Sequence, residues 1–194
     1  MRVLLPNETE QLPLLLTEAR LVADSSGALK AGDPRLASTI AAASAAVRRY
    51  CRWHVAPLIE ETVVLDGPGG RVLQLPSMHV VDVAEVRIGG AVVSASSYAW
   101  SAAGLLELHG RLGEWREFPR VYRVVEVTFT HGYAEAPDLS AIASQVARFA
   151  LASPMGRTRE QAGQVAVSWG TVQGMAWSES NLEMMKPYRL QVMP

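Results

Sequence analysis

The chain has 194 residues, 49% of them hydrophobic, and 18 Lys and Arg against 19 Asp and Glu leave a net charge of -1. That length is ample for a buried core, while the charge balance argues against tight nucleic-acid binding, which draws its affinity from counterions displaced at basic surfaces. A lone cysteine, Cys51, excludes an internal disulfide framework, and no apolar run approaches the roughly 20 residues that cross a bilayer.

The first ten residues, MRVLLPNETE, lack the basic-then-apolar pattern of a secretory signal, so synthesis in a reducing cytoplasm and no membrane partner are expected. Pro6 and Pro13 interrupt an apolar stretch, a short helix is expected around 8–22, and Ser25 to Gly27 reads as a turn. Asp33 as N-cap with Pro34 at the first position opens a helix expected to run to about Trp53, with Leu36, Ile40, Ala43 and Val47 on one face. Arg48, Arg49 and Arg52 fall in its last turns. They read either as a solvated end matched to the helix dipole or as a face for DNA or an acidic partner. Lys30 and Lys186 are the only lysines. That arginine excess reads as bidentate phosphate or carboxylate recognition or as codon bias, and the spread of the arginines favours the latter.

From residue 61 the pattern changes to short strands broken by Gly and Pro, expected at 62–65, 72–75, 80–88, 91–93, 98–101, 105–108 and 121–130. Gly89-Gly90 reads as a tight hairpin turn, and 102–104 as another. The charged, aromatic stretch 109–120 suits an exposed tip; within it Trp115 and Phe118 read either as interface anchors beside Arg116 or as local packing. Gly132 ends the last strand, and Pro137 and Asp138 open a helix with Leu139, Ile142, Val146 and Phe149 on one face, stopped by Pro154. Beyond it, 164–168 alternates weakly as a strand, and Ser180 with Glu183 has capping-box spacing for a short helix ending before Pro187. Trp169, Met175, Trp177, Met184, Met185 and Tyr188 leave this tail too apolar to stand alone, so its own subunit or a partner must cover it. The expected class is α+β: a helical core from the N-terminal and central helices, an inserted small antiparallel β domain and an extended C-terminal arm. The expected parts are 1–60, 61–131, 132–154 and 155–194.

Catalytic signatures are missing from the sequence: there is no G-x-S-x-G, no G-x-x-x-x-G-K and no H-E-x-x-H. His54, His79, His109 and His131 lie more than twenty residues apart without carboxylates at ligand spacing, so neither a metal site nor a cofactor is expected. His131, at a strand end beside Gly132, reads as a cap on the turn or the next helix. A hydrolase reading would join it to Asp138 and Ser140.

Several segments in order resemble one family. They are DPRLASTIAAASAAVRRY at 33–50, DGPGGR at 66–71, YAWSAAGLL at 98–106, the strand, His-Gly-Tyr turn and Ala-rich helix over 121–154, and KPYRL at 186–190. Together they are similar to the head-to-tail connector (adaptor) proteins of tailed bacteriophages. The resemblance implies a non-enzymatic virion protein at the head-tail junction. It would form a homo-oligomeric ring, usually a dodecamer, bound beneath the portal protein, presenting a surface to a downstream connector or tail protein. Double-stranded DNA would pass through its lumen without sequence-specific binding. By the same resemblance the helices form the ring wall and the C-terminal arm reaches a portal or adjacent subunit, while the β insertion departs from the simplest all-helical members. Another ring component, such as a stopper or tail terminator, and a ligand-binding β module with a polar cleft are the alternatives.

Overall fold

The computed structural model describes residues 12–110, 114–152, 159–162, 165–168 and 177–191. In chain order the elements are α1 (Glu18–Asp24), α2 (Arg35–Cys51), β1 (Ile59–Leu65), β2 (Val72–Gln74), β3 (Val80–Ile88), β4 (Ala91–Val92), β5 (Tyr98–Trp100), β6 (Leu105–Leu108), β7 (Val125–His131), α3 (Pro137–Ala152), β8 (Arg159–Ala162), β9 (Val165–Ser168) and α4 (Glu179–Met185). The class is α+β, and the described strand pairs are antiparallel. The chain forms two compact units: residues 52–135 with the segment from Tyr188 make one, and residues 14–51 with 136–187 make the other.

The first unit holds a four-stranded sheet, β1-β7-β3-β4, and a three-stranded sheet, β2-β6-β5. Its register follows from the period-two pattern of β7. Val125, Val127 and Phe129 point into the core, opposite Leu65, Val63 and Glu61 on one side and Ile88, Val86 and Val83 on the other. A slip of one residue would turn that whole row to solvent, so the alternation fixes the pairing. Leu73, Leu75, Tyr98, Leu106, Leu108 and Phe118 complete the same core. Each such buried side chain contributes about 1.5–3 kcal/mol by leaving water. Register shifts on β3 at Val81 and Ala84 leave both of these residues exposed. Gly89 and Gly90, at φ 59° and 82°, make the two-residue turn into β4, a left-handed pair that only glycine adopts without strain.

The second unit is helical, with the β8-β9 hairpin added to it. Leu36, Ile40, Ala43, Val47 and Cys51 of α2 are buried, as are Leu139, Ile142, Ala143, Val146 and Leu151 of α3, and the two helices pack together. Polar contacts tie the short helices in. Ser144 Oγ donates to Asp24 Oδ2 at 2.7 Å, the Arg148 guanidinium donates to the Asp24 carbonyl, and Tyr50 OH donates to Leu182 O at 3.3 Å.

Several boundaries differ from expectation. The first helix starts at Glu18, after Pro13, with Thr17 Oγ1 accepting from Arg20 N at 3.3 Å; residues 1–11 lie outside the described set. Asp33 does cap α2, accepting from Arg35 N at 2.9 Å. The helix stops at Cys51 because Arg52 takes φ 68°, the left-handed conformation that ends helices. Phe149 is 49% exposed rather than buried, since the apolar stripe of α3 continues through Ala147 and Leu151 and leaves position 149 off its edge. Ser178, not Ser180, caps α4, its Oγ accepting from Asn181 N at 3.1 Å, so the Ser180–Glu183 spacing is no capping box. The strand expected from residue 121 begins at Val125.

Candidate functional site

The late start of β7 builds the most exposed aromatic of the first unit. Residues 121–124 form a turn in which Arg123 has φ 55° and its N–H donates to Asp66 Oδ1 at 2.8 Å. Gly67 N donates to Val121 O and Gly89 N to Val124 O, both at 2.8 Å. Gly67 has to be glycine, because a β-carbon there would sit 1.9 Å from the Pro119 carbonyl oxygen. Clamped on both sides, this tip holds Tyr122 85% and Val121 53% exposed, flanked by exposed Arg120 and Arg123. Rigid Tyr with neighbouring Arg is the residue chemistry of protein interfaces. Sequence reasoning read 121–130 as one strand and missed the tip; the interruption of alternation at Val121-Tyr122-Arg123 was the available signal.

The outer face of the four-stranded sheet is polar apart from the buried Val64. Across β1, β7 and β3 its rows are Glu60–Thr130–Asp82, Thr62–Thr128–Glu85 and Val64–Glu126–Arg87. Thr62 and Thr128 hydroxyls are 2.8 Å apart, and Arg87 binds Glu85 through Nε at 2.6 Å and Nη2 at 3.2 Å. The face thus carries four carboxylates and one guanidinium.

The residues singled out in the sequence separate. Trp115 is 37% exposed, whereas Phe118 is 1% exposed in the core, its N–H donating to Gly70 O at 2.8 Å. Phe118 thus packs locally in this unit's core. Arg48 is half-buried, while Arg49 and Arg52 are exposed. In the tail, Met185 is fully buried where α4 packs on α2 and α3, Met184 is 46% exposed, and Trp177 is half-buried. Tyr188 is half-buried in the first unit: its carbonyl accepts from Trp53 Nε1 at 2.7 Å and its ring meets Tyr133 edge-on at 5.9 Å. Gln74 Nε2 donates to Gln191 O at 2.7 Å. Leu190 is buried and Tyr188 half-buried, while Arg189 and Gln191 are exposed. Trp169 and Met175 lie outside the described residues.

Three of the four histidines meet around the His-Gly-Tyr turn. His131 continues the inward row of β7, fully buried, with Nε2 2.9 Å from Glu61 Oε1 and its ring packed on Phe129, Trp53 and His54. His54 Nε2 lies 2.6 Å from Pro57 O, and His79 Nδ1 lies 2.9 Å from Gly132 O while its ring stacks on Tyr133. His54 and His79 thus bond loop carbonyls, whereas His131 bonds the β1 carboxylate and keeps its Nδ1 buried without a hydrogen bond. The expected cap on the turn is instead a core imidazole paired with a carboxylate, as the alternation of β7 implied. Asp138 and Ser140, the other members of a hydrolase triad, do helix work: Asp138 Oδ1 accepts from Leu139 N at 3.0 Å and Ser140 N donates to Ala136 O at 2.9 Å. Among the described residues no group of three His, Cys, Asp or Glu converges for a metal ion. Burial pushes the Cys51 thiol up to about 12, with Asp138 adding to the effect, so it is held as a neutral core group. A cleft of about 450 Å³ is lined by Arg71, His109, Gly110, Arg116 and Glu117, and Arg71 is paired with Glu107 at 3.3 Å.

No protein-family model matches the chain, and no curated protein matches it in sequence. Solved structures match in fold along nearly its whole length. A chain from the neck of an empty GTA particle, computed with C6 symmetry, matches with TM-score 0.61 and 18% identity over 96% of both chains. One from the neck of the native particle, computed with C12 symmetry, matches with TM-score 0.55 and 18% identity over 100% of this chain and 97% of that one. One from the virion of the native gene transfer agent (GTA) particle gives TM-score 0.52 and 19% identity over 85% and 82%. This chain shares its fold with chains in the necks of gene transfer agent particles.

Proposed function

We propose that this chain is a non-enzymatic head-tail connector of a tailed phage or phage-like particle, an adaptor that forms a ring beneath the portal and extends the DNA channel towards the tail. The observation that carries the reading is the fold match over 96% of both chains to a particle neck, together with neck assemblies described by twelvefold and sixfold symmetry. Cyclic symmetry suits a subunit whose contacts run head to tail, because such contacts generate closed rings when the rotation closes. A net charge of -1 suits a conduit through which DNA must slide, since a basic lining would hold the phosphates. In this reading the helices form the ring wall and the C-terminal arm reaches a portal or adjacent subunit. Electron microscopy of lysates lacking this gene product tests the reading: filled or leaking heads beside complete, unattached tails are expected. Joined, normal particles would overturn it.

A further inference from the structure

Two surfaces of the first unit are complementary and lie at opposite ends of its sheet. One is the Tyr122 tip, with Arg120 and Arg123 exposed on either side and Asp66 occupied in accepting from the Arg123 N–H. The other is the outer face of β1, β7 and β3, where Glu60 and Asp82 flank Thr130 and Glu126 sits further along β7. Among the described residues, none of Arg120, Arg123, Glu60 and Asp82 forms an ion pair; Arg87, the face's one cation, is bound to Glu85 and also attracts Glu126 across the strands. The tip precedes Val125 and the Glu60–Thr130–Asp82 row lies five residues along β7, about 17 Å away at strand spacing. A single copy held in this sheet cannot fold its tip onto that row.

We propose that the tip of one copy docks on the outer sheet face of the next, with Arg120 and Arg123 meeting Glu60 and Asp82, and Tyr122 lying over the threonine row. The contact is heterologous: donor and acceptor patches differ, so each copy offers one of each and the chain of contacts closes as a ring. The occupant is a second copy of this chain, chosen because the unpaired cations and the unpaired carboxylates stand on one polypeptide at separate places. Three strands at about 4.8 Å spacing by about 17 Å of length give a face of only about 150–200 Å². That is well under a standard interface, so this contact sets the register and hand of a larger ring interface and speeds its formation. The Thr hydroxyls suit it, offering acceptors to Arg and Tyr without adding apolar area. The inference rests on the ring reading above and supplies its neighbour contact.

The test is a charge exchange in the full chain. The tip variant carries Arg120→Glu with Arg123→Asp, and the face variant carries Glu60→Lys with Asp82→Lys. Sedimentation velocity in moderate salt is expected to show rings for the native chain and association weaker by about tenfold or more for either variant alone. An equimolar mixture should recover native-like assembly, because alternating copies then pair opposite charges at every contact. Tyr122→Ala, which removes a side chain free of packing, is expected to weaken association severalfold and guards against a misfolded charge variant. Assembly of either charge variant at native strength overturns the contact. So does failure of the mixture when circular dichroism shows both variants folded, and so does a native chain that stays monomeric throughout. Variants that assemble normally, in a chain whose loss leaves heads and tails unjoined, would remove this contact and keep the connector role.

Discussion

Gly67→Ala tests the clamp beneath the tip. A β-carbon there would stand 1.9 Å from the Pro119 carbonyl oxygen and 3.1 Å from a methyl of Val124. Carbon–oxygen contacts settle at about 3.3 Å, so one backbone segment must retreat by about 1.4 Å, and no side-chain rotation relieves the clash because the obstacle is main chain. The retreat opens the 2.8 Å bond from Gly67 N to Val121 O. Overpacking costs about 1–3 kcal/mol and the lost hydrogen bond about 1 kcal/mol, while stiffening the unfolded chain returns about 0.4–1 kcal/mol. The expected net loss is about 1–3.6 kcal/mol. Gly70→Ala is the control, since a β-carbon there meets nothing within 4 Å; it should be neutral or slightly stabilising. Urea unfolding followed by tryptophan fluorescence and circular dichroism measures both. Equal midpoints for the two variants would refute the argument that this approach of two backbones holds the turn.

Phe129→Ala, at a fully buried core position, is expected to cost about 3–5 kcal/mol in the same unfolding experiment. Arg52→Gly should stabilise by about 0.5–1 kcal/mol, because φ 68° suits glycine; a loss would mean that the arginine side chain holds the helix end. The Ser144 hydroxyl, with help from Arg20 and Arg148, holds the Asp24 carboxyl below 3.8 against the opposing pull of burial. A depressed folded value stabilises above the unfolded value and is lost as pH falls through the folded one. Acid unfolding of Ser144→Ala should therefore be less steep below about pH 4, and an unchanged acid profile would dismiss the pair. Cys51, with its thiol pushed up to about 12, should resist maleimide at pH 8 in the native chain and react once denatured; fast native labelling would contradict its burial.

The β unit was largely legible because strand patterning is local. Val125, Val127 and Phe129 announced which face is inward, and the 80–88 strand and the Gly89-Gly90 turn were readable from β-branched residues and paired glycines. The tip was only faintly legible, in the broken alternation at Val121-Tyr122-Arg123. Val121 and Tyr122 have strand propensity, and partners distant in sequence, Asp66 accepting from Arg123 N and Gly67 N donating to Val121 O, turn them aside. The histidine cluster was hidden for the same reason: His54, His79 and His131 are neighbours only after β3 and β7 pair. The helix ends were misread where a non-glycine residue, Arg52, took the left-handed role, and where Ser178 outcompeted Ser180 as the cap.

The bond from Trp53 Nε1 to Tyr188 O spans 135 residues of chain. The β unit therefore cannot be finished when its last strand leaves the ribosome; it waits for the helical segment, made later, to be synthesised and for the chain to come back. Such long-range closure makes completion of one unit the signal that the other exists. A nascent or truncated chain would lack the segment that bonds Trp53 and packs against Tyr133, leaving those two rings bare until residue 188 emerges.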